Sequence, residues 1–246
     1  MESGGQGRLA AIKEVLTGKV SGARMVTAGR CTVFFLLGLA MSCARVLENG
    51  APFGMAMVAC SGPGICGVFA LSGAALGYLI SGGVEWGIRY IAASVLVYTI
   101  AFIFQELEIY KREYFMPCCA GAVMALTGFL GSFSVTSGSV PLVAELFLET
   151  CLAFGGSYFF KEALSGGVRT TESAELKHSV SIMIMVACVL MAFSRIELFS
   201  VVSIGRFLAL LLVMTSAMKG GMLTGAAVGT VLGLAMDVTS TGAPFY

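Results

Sequence analysis

Residues 45–83 read RVLENGAPFGMAMVACSGPGICGVFALSGAALGYLISGG, apolar almost throughout and broken by Pro52 and by Gly62-Pro63. A water-soluble domain can bury such a segment only inside a large core wrapped in strongly polar material. The rest of this chain does not supply that wrapping. Of its 246 residues 57% are hydrophobic and 12% charged, where soluble domains carry roughly 25% charge. Apolar blocks of about 17 to 22 residues recur along the chain, each long enough to cross a hydrocarbon core ~30 Å thick. With a mean hydropathy of +0.92, the sequence predicts an all-α, polytopic transmembrane helix bundle. Its natural solvent is the lipid bilayer. The 32 glycines suit that reading, since small residues let membrane helices approach closely. A net charge of +1 argues against nucleic acid as a partner.

The chain divides into a basic N-terminal arm, residues 1–25, and a multi-span membrane domain, residues 26–246. The arm carries Arg8, Lys13, Lys19 and Arg24 against Glu2 and Glu14, with Arg30 at the membrane edge. It reads as a short basic amphipathic helix on the membrane surface or as a largely disordered segment, and it predicts a cytoplasmic N-terminus. No cleavable signal peptide is apparent. Spans are expected at about 26–47, 51–62, 64–81, 87–105, 114–133, 140–160, 179–194, 198–217 and 222–236. Residues 51–62 are short for a crossing, and fit either a tilted span or a re-entrant half helix. Counting them as a span puts the loops bearing Lys111/Arg112, Lys161/Arg169/Lys177 and Lys219 on the cytoplasmic side, as the positive-inside bias requires. A re-entrant segment would flip all three outward. The closing APFY repeats the APFG at Ala51, so the chain is expected to stop at the start of a tenth span. LSGAALG (71–77) is echoed by LTGAAVG (223–229), which fits an internal duplication or convergence on a small-residue packing face.

Few residues carry chemistry. Glu145 and Glu149 stand four apart in one apolar span, and carboxylates at membrane depth are expensive. They read as a proton or cation site or as a structural pair, with Arg45, Arg89 and Arg206 as candidate partners. Cys31, Cys43, Cys60, Cys66, Cys118, Cys119, Cys151 and Cys188 form no CxxC motif and read as small buried hydrophobes. His178 is the single histidine and lies in a polar loop, which disfavours a His-centred triad or a zinc site. There is no phosphate-binding GK[ST]. Gly73 with Gly77, and Gly225 with Gly229 and Gly233, make faces of nearly bare backbone and read as helix-packing surfaces.

The run FFLLGLAMSCARVLENGAPFGMAMVA, then GAALGYLISGG with Arg89-Tyr90, resembles the N-terminal membrane region of stage II sporulation protein E. LALLLVMTSAMKGGMLTGAAVGTVLGLAMD is similar to the later spans of that region, so the likeness covers about 26–246. The resemblance implies a ten-span anchor in the cell membrane of a spore-forming bacterium, followed by a regulatory segment and a PP2C-type serine/threonine phosphatase. It implies localisation to the asymmetric division septum and interaction with the cell-division protein FtsZ, while the glycine faces make self-association a further expectation. Through the phosphatase it implies dephosphorylation of an anti-sigma-factor antagonist, which leads to release of a forespore sigma factor. That chemistry uses several aspartates to hold two Mn or Mg ions. This chain has one, Asp237, so no catalytic residue, metal site or cofactor carries over. The expected function is therefore anchoring and localisation, with no enzyme activity of its own. The alternative is a small-solute or ion transporter using Glu145 and Glu149.

Overall fold

The computed structural model describes residues 26–46, 50–132, 140–165, 172–194, 197–198 and 202–239; the basic arm and the closing APFY lie outside them. Among the described residues there are seven helices: α1 (Val26–Cys43), α2 (Pro52–Ser61), α3 (Ile65–Phe104), α4 (Phe115–Ser132), α5 (Val140–Leu164), α6 (Glu172–Phe193) and α7 (Ile204–Thr239). A two-residue antiparallel pair, Glu197–Leu198 with Val202–Ser203, stands between α6 and α7. Five of the helices, α1, α3, α5, α6 and α7, are long and apolar enough to cross a membrane, while α2 and α4 are shorter apolar helices. The nine spans read from the sequence do not map one to one onto these seven helices, of which five are long and apolar enough to cross. Segments 64–81 and 87–105 share α3, and segments 198–217 and 222–236 share α7.

The reason is that α3 and α7 are each a pair of helices that abut at a glycine, where the chain reverses. Gly83 has φ 74° and ψ −176°, and Gly221 has φ 81° and ψ 179°, a backbone region that only glycine enters at low cost. In a straight helix, at 1.5 Å per residue, Gly67 and Tyr98 would lie about 46 Å apart. Instead, a Cβ on Gly67 would sit 2.9 Å from the Tyr98 ring, and the Tyr98 hydroxyl donates to the Pro63 carbonyl at 3.1 Å. The halves 65–82 and 84–104 therefore run antiparallel. In α7 a Cβ on Gly229 would be 3.4 Å from Val213, against about 24 Å along a straight helix. Gly62, at φ 76° and ψ 175°, makes the same kind of turn between α2 and α3.

α1 lies parallel to the first half of α3. The contacts Cys31–Cys66, Cys43–Gly77 and Arg45–Ser81 join residues 35, 34 and 36 apart, a constant offset that only parallel helices give. Glycine makes the seam possible: a Cβ on Gly38 would collide with the Ala70 carbonyl, and one on Gly73 with that of Phe35. One on Gly77 would collide with the Ser42 hydroxyl. Between membrane helices lipid removes most of the hydrophobic drive, so close van der Waals packing of this kind is what holds them together.

α2 returns the chain between these parallel helices and forms the centre of the bundle. Residues Pro52 to Ala59 are all buried, which accounts for the lack of any polar face along this helix. Pro52 occupies the first turn, where its missing N–H costs nothing. Ala51 offers no side-chain cap, and Tyr78 supplies one from α3. Its hydroxyl accepts from the Met55 N–H at 2.9 Å and donates to the Ala51 carbonyl at 2.9 Å, bridging the donor and acceptor of the helix's first turn. Gly54 leaves room for it, since a Cβ there would stand 2.6 Å from the Tyr78 oxygen.

The bundle has two distinct ends. One gathers Val46 and Gly50, the Gly83 turn and the adjoining parts of α4 and α5. The other gathers the Gly62 turn, a short 3-10 turn at Glu108–Lys111 and the ends of α5 and α6 that face it.

Candidate functional site: a buried ion pair at one end of the bundle

Glu149 on α5 is the buried carboxylate of the described residues, 7% exposed. Arg89, in the second half of α3, pairs with it through Nη2 and Oε2. The Tyr90 hydroxyl donates to the other oxygen, Oε1, at 2.5 Å. Both oxygens are thus engaged, which is the condition under which a buried ion pair is tolerated. Gly50 closes the site from the loop before α2, where a Cβ would lie 3.2 Å from Oε1. Arg89 reaches the pair across the small-residue face of α4: a Cβ on Gly128 would stand 3.2 Å from its Nη2. The Arg89 Nε is buried without a hydrogen-bond partner among the described residues.

An aromatic stack extends the site into the core. Tyr90 lies against Tyr78 with ring centroids 5.2 Å apart, and Trp86 covers Tyr90 at 4.7 Å. The Arg45 guanidinium sits 4.2 Å above the Trp86 ring, a favourable cation–π arrangement. Arg45 also donates from Nε to the Ser81 hydroxyl at 3.1 Å and from Nη2 to the Ser81 carbonyl. These contacts exist because α3 reverses at Gly83, which brings Tyr78 and Ser81 beside Trp86 and Tyr90.

The two glutamates therefore part company. Glu145 is exposed and Glu149 buried, so four-residue spacing puts them in line without giving them the same burial. Both line one cleft of about 20 Å³, with Val46, Gly50, Leu148 and Leu152; such a volume holds about one water. Of the candidate partners, Arg89 takes Glu149, Arg45 takes Ser81 and Trp86, and Arg206 is exposed on α7. Of the predicted packing glycines, Gly73 and Gly77 meet α1, while Gly225 and Gly229 meet Ala217 and Val213 of their own helix. Gly233 faces open space. Among the described residues no three His, Cys, Asp or Glu side chains gather as a metal site.

Sequence reasoning missed Tyr90, Tyr78, Trp86 and Gly50. Tyr90 carried a usable signal, a hydroxyl next to an arginine inside an apolar span. Tyr78 and Gly50 carried none, because their roles depend on the reversal at Gly83 and on the approach of α5.

The opposite end holds a looser polar cluster. Lys177 on α6 lies 3.5 Å from Glu162 and 3.8 Å from Glu113, with its ammonium 4.9 Å from the Tyr158 ring. Lys161 donates to the Glu113 carbonyl at 3.4 Å. These partners are substantially exposed, and pairs of that kind contribute little stability. With its long apolar helices and a wide apolar surface, including Met218, Met222 and Leu223 at 85%, 92% and 86% exposure, the protein belongs to the class of helical membrane proteins. No family model, curated protein or solved structure matches the chain.

Proposed function

We propose that this protein is a membrane anchor that crosses the bilayer nine times, with its N-terminus in the cytoplasm. On this reading each half of α3 and of α7 is a crossing, and α2 is a short crossing sheathed by its neighbours. The distribution of lysines supports the orientation. Lys111, Lys161 and Lys219 fall at or before turns and Lys177 near the start of α6, all on one end, which the positive-inside bias makes cytoplasmic. Arg45 and Arg89 at the other end are held by Ser81, Trp86 and Glu149.

The observation that carries anchoring over transport is the engagement of Glu149. A carboxylate that binds and releases a proton or cation in turn must give up the bonds it already makes, and here Arg89 engages one oxygen and Tyr90 the other. The pair serves to tie α3 to α5. The likeness to the membrane region of stage II sporulation protein E supports a specific role. In that role the bundle holds a PP2C-type phosphatase at the asymmetric septum, in reach of FtsZ and of a phosphorylated anti-sigma-factor antagonist.

A chimera tests this: the chain replaces the membrane region of such a phosphatase in an endospore-forming bacterium, with a fluorescent tag. Septal fluorescence and restored sigma-factor activity are expected. Even distribution around the cell, with no sigma-factor activity, contradicts the sporulation role. Proton flux in proteoliposomes that Glu149→Gln abolishes would favour transport instead.

A further inference from the structure

The seam between α1 and α3 ends, away from Arg45, on two thiols. The sulfurs of Cys31 and Cys66 lie 3.5 Å apart, and the eight cysteines are all free. Others are spent differently: Cys43 points to the Gly77 carbonyl at 3.8 Å, and Cys60 donates to the Ser157 carbonyl at 2.9 Å. A disulfide has an S–S length of about 2.05 Å, so closing the pair needs an approach of about 1.5 Å. Gly38 and Gly73, each seven residues along from its thiol, bring α1 and α3 backbone to backbone and hold the two helices in register.

The surroundings give the pair a way in and a direction. Cys31 is buried at 5% exposure, whereas Cys66, the second residue of α3, is half-buried. Arg30, beside Cys31, is exposed, and an arginine there marks the edge of the apolar layer. Cys66 is therefore the sulfur that an aqueous reagent meets first, and Cys31 the one that resolves.

We propose that Cys31 and Cys66 form a reversible intramolecular disulfide, driven by exchange with a small-molecule disulfide of the glutathione class. The Cys66 thiolate attacks one sulfur of the oxidant, a Cys66–S–S–R bond forms, and the first R–S⁻ leaves. Cys31 gives up its proton and attacks the Cys66 sulfur, a Cys31–Cys66 bond forms, and the second R–S⁻ leaves. Two protein thiols are oxidised and one external disulfide is reduced to two thiols, each of which takes up a proton. The product ties α1 to α3 around a loop that contains α2, and an excess of reduced thiol reopens it.

The test uses the full chain in lipid nanodiscs, treated with oxidised glutathione, alkylated, digested and mapped by mass spectrometry without reduction. Most of the protein is expected to carry one cross-link, Cys31 to Cys66, lighter by two hydrogen atoms and reversed by dithiothreitol. In Cys31→Ala, Cys66 is expected to stop as the glutathione mixed disulfide; in Cys66→Ala, no cross-link forms. Cys31→Ser serves the same purpose if the alanine variant does not fold. Three results overturn the proposal: both thiols alkylated equally before and after oxidation, a Cys66–glutathione adduct that wild-type protein never resolves, or a dominant cross-link to another cysteine.

Discussion

α1, α2 and the first half of α3 trace a path that α6 and the two halves of α7 repeat. In each, a helix ends in a small antiparallel bridge, a second helix returns, and a glycine at φ 76° or 81° turns the chain into a third helix. The first unit is closed, because Gly38, Gly73 and Gly77 bring its outer helices into backbone contact. The second is open. A cleft of about 450 Å³ separates α6 from α7, lined by Leu176, Val180, Met183, Leu212, Leu223 and Val228 among others. Of the most apolar stretch of α3 33% is buried, against 6% for α7. The difference lies in which way the glycines point. LSGAALG turns its glycines on α1, while LTGAAVG turns Gly225 and Gly229 on the preceding half of its own helix. The same seven-residue pattern, in the third helix of each unit, thus serves two different seams.

The largest effect should come from outside both units, at the ion pair that joins the second half of α3 to α5. Glu149→Ala leaves the Tyr90 hydroxyl without its acceptor and Arg89, 29% exposed, without its carboxylate; removing one partner of a fully buried pair costs about 3–5 kcal/mol, which sets the upper bound here. Thermal unfolding of the detergent-solubilised protein should show it as a large fall in midpoint, whereas Glu145→Ala, at an exposed position, leaves the midpoint in place. Next comes the glycine seam. Gly73→Ala puts a methyl group against the Phe35 carbonyl, and overpacking of this sort costs about 1–3 kcal/mol. Gly233→Ala, with nothing near its Cβ, should be neutral or stabilising by up to about 1 kcal/mol, since alanine is the better helix former. An equal loss at both positions would erase the contrast between the units.

The turns provide a calibration. A Cβ on Gly83 or Gly221 meets no neighbour, so Gly83→Ala and Gly221→Ala each cost only backbone strain, of order 1–3 kcal/mol. The two losses should match within error although the units differ in burial. Tyr78→Phe removes the hydroxyl that bridges Met55 and Ala51 and leaves a buried donor and acceptor in the first turn of α2; about 1–2 kcal/mol is expected. Its effect should fall on the closed unit alone, read as faster hydrogen exchange in α2 with α6 and α7 unchanged.

Much of this architecture was legible in the sequence, and for a reason. Hydropathy reports which segments avoid water, and Pro52, Gly62, Gly83 and Gly221 mark where helices start and turn. The boundaries moved where polar residues extend a helix past its apolar part, as at Glu172, seven residues before the expected start of that span. The site was only half legible. Glu149 stood out as a carboxylate in an apolar span, and Arg89 was among its candidate partners. No local pattern distinguished Arg89 from Arg45 or Arg206, because that choice depends on the register of α3 against α5.

The central claim is that Gly83 and Gly221 reverse the chain at opposite faces of the membrane. Single cysteines at Val84 and Met222, 67% and 92% exposed, test it most directly in a variant whose native cysteines are replaced by serine. A membrane-impermeant maleimide should label Val84→Cys on intact cells, and Met222→Cys only after the membrane is opened. If α3 were one straight crossing, Val84 would stand near the bilayer centre. Failure of Val84→Cys to react from either side, or labelling of both positions from the same side, would contradict the account.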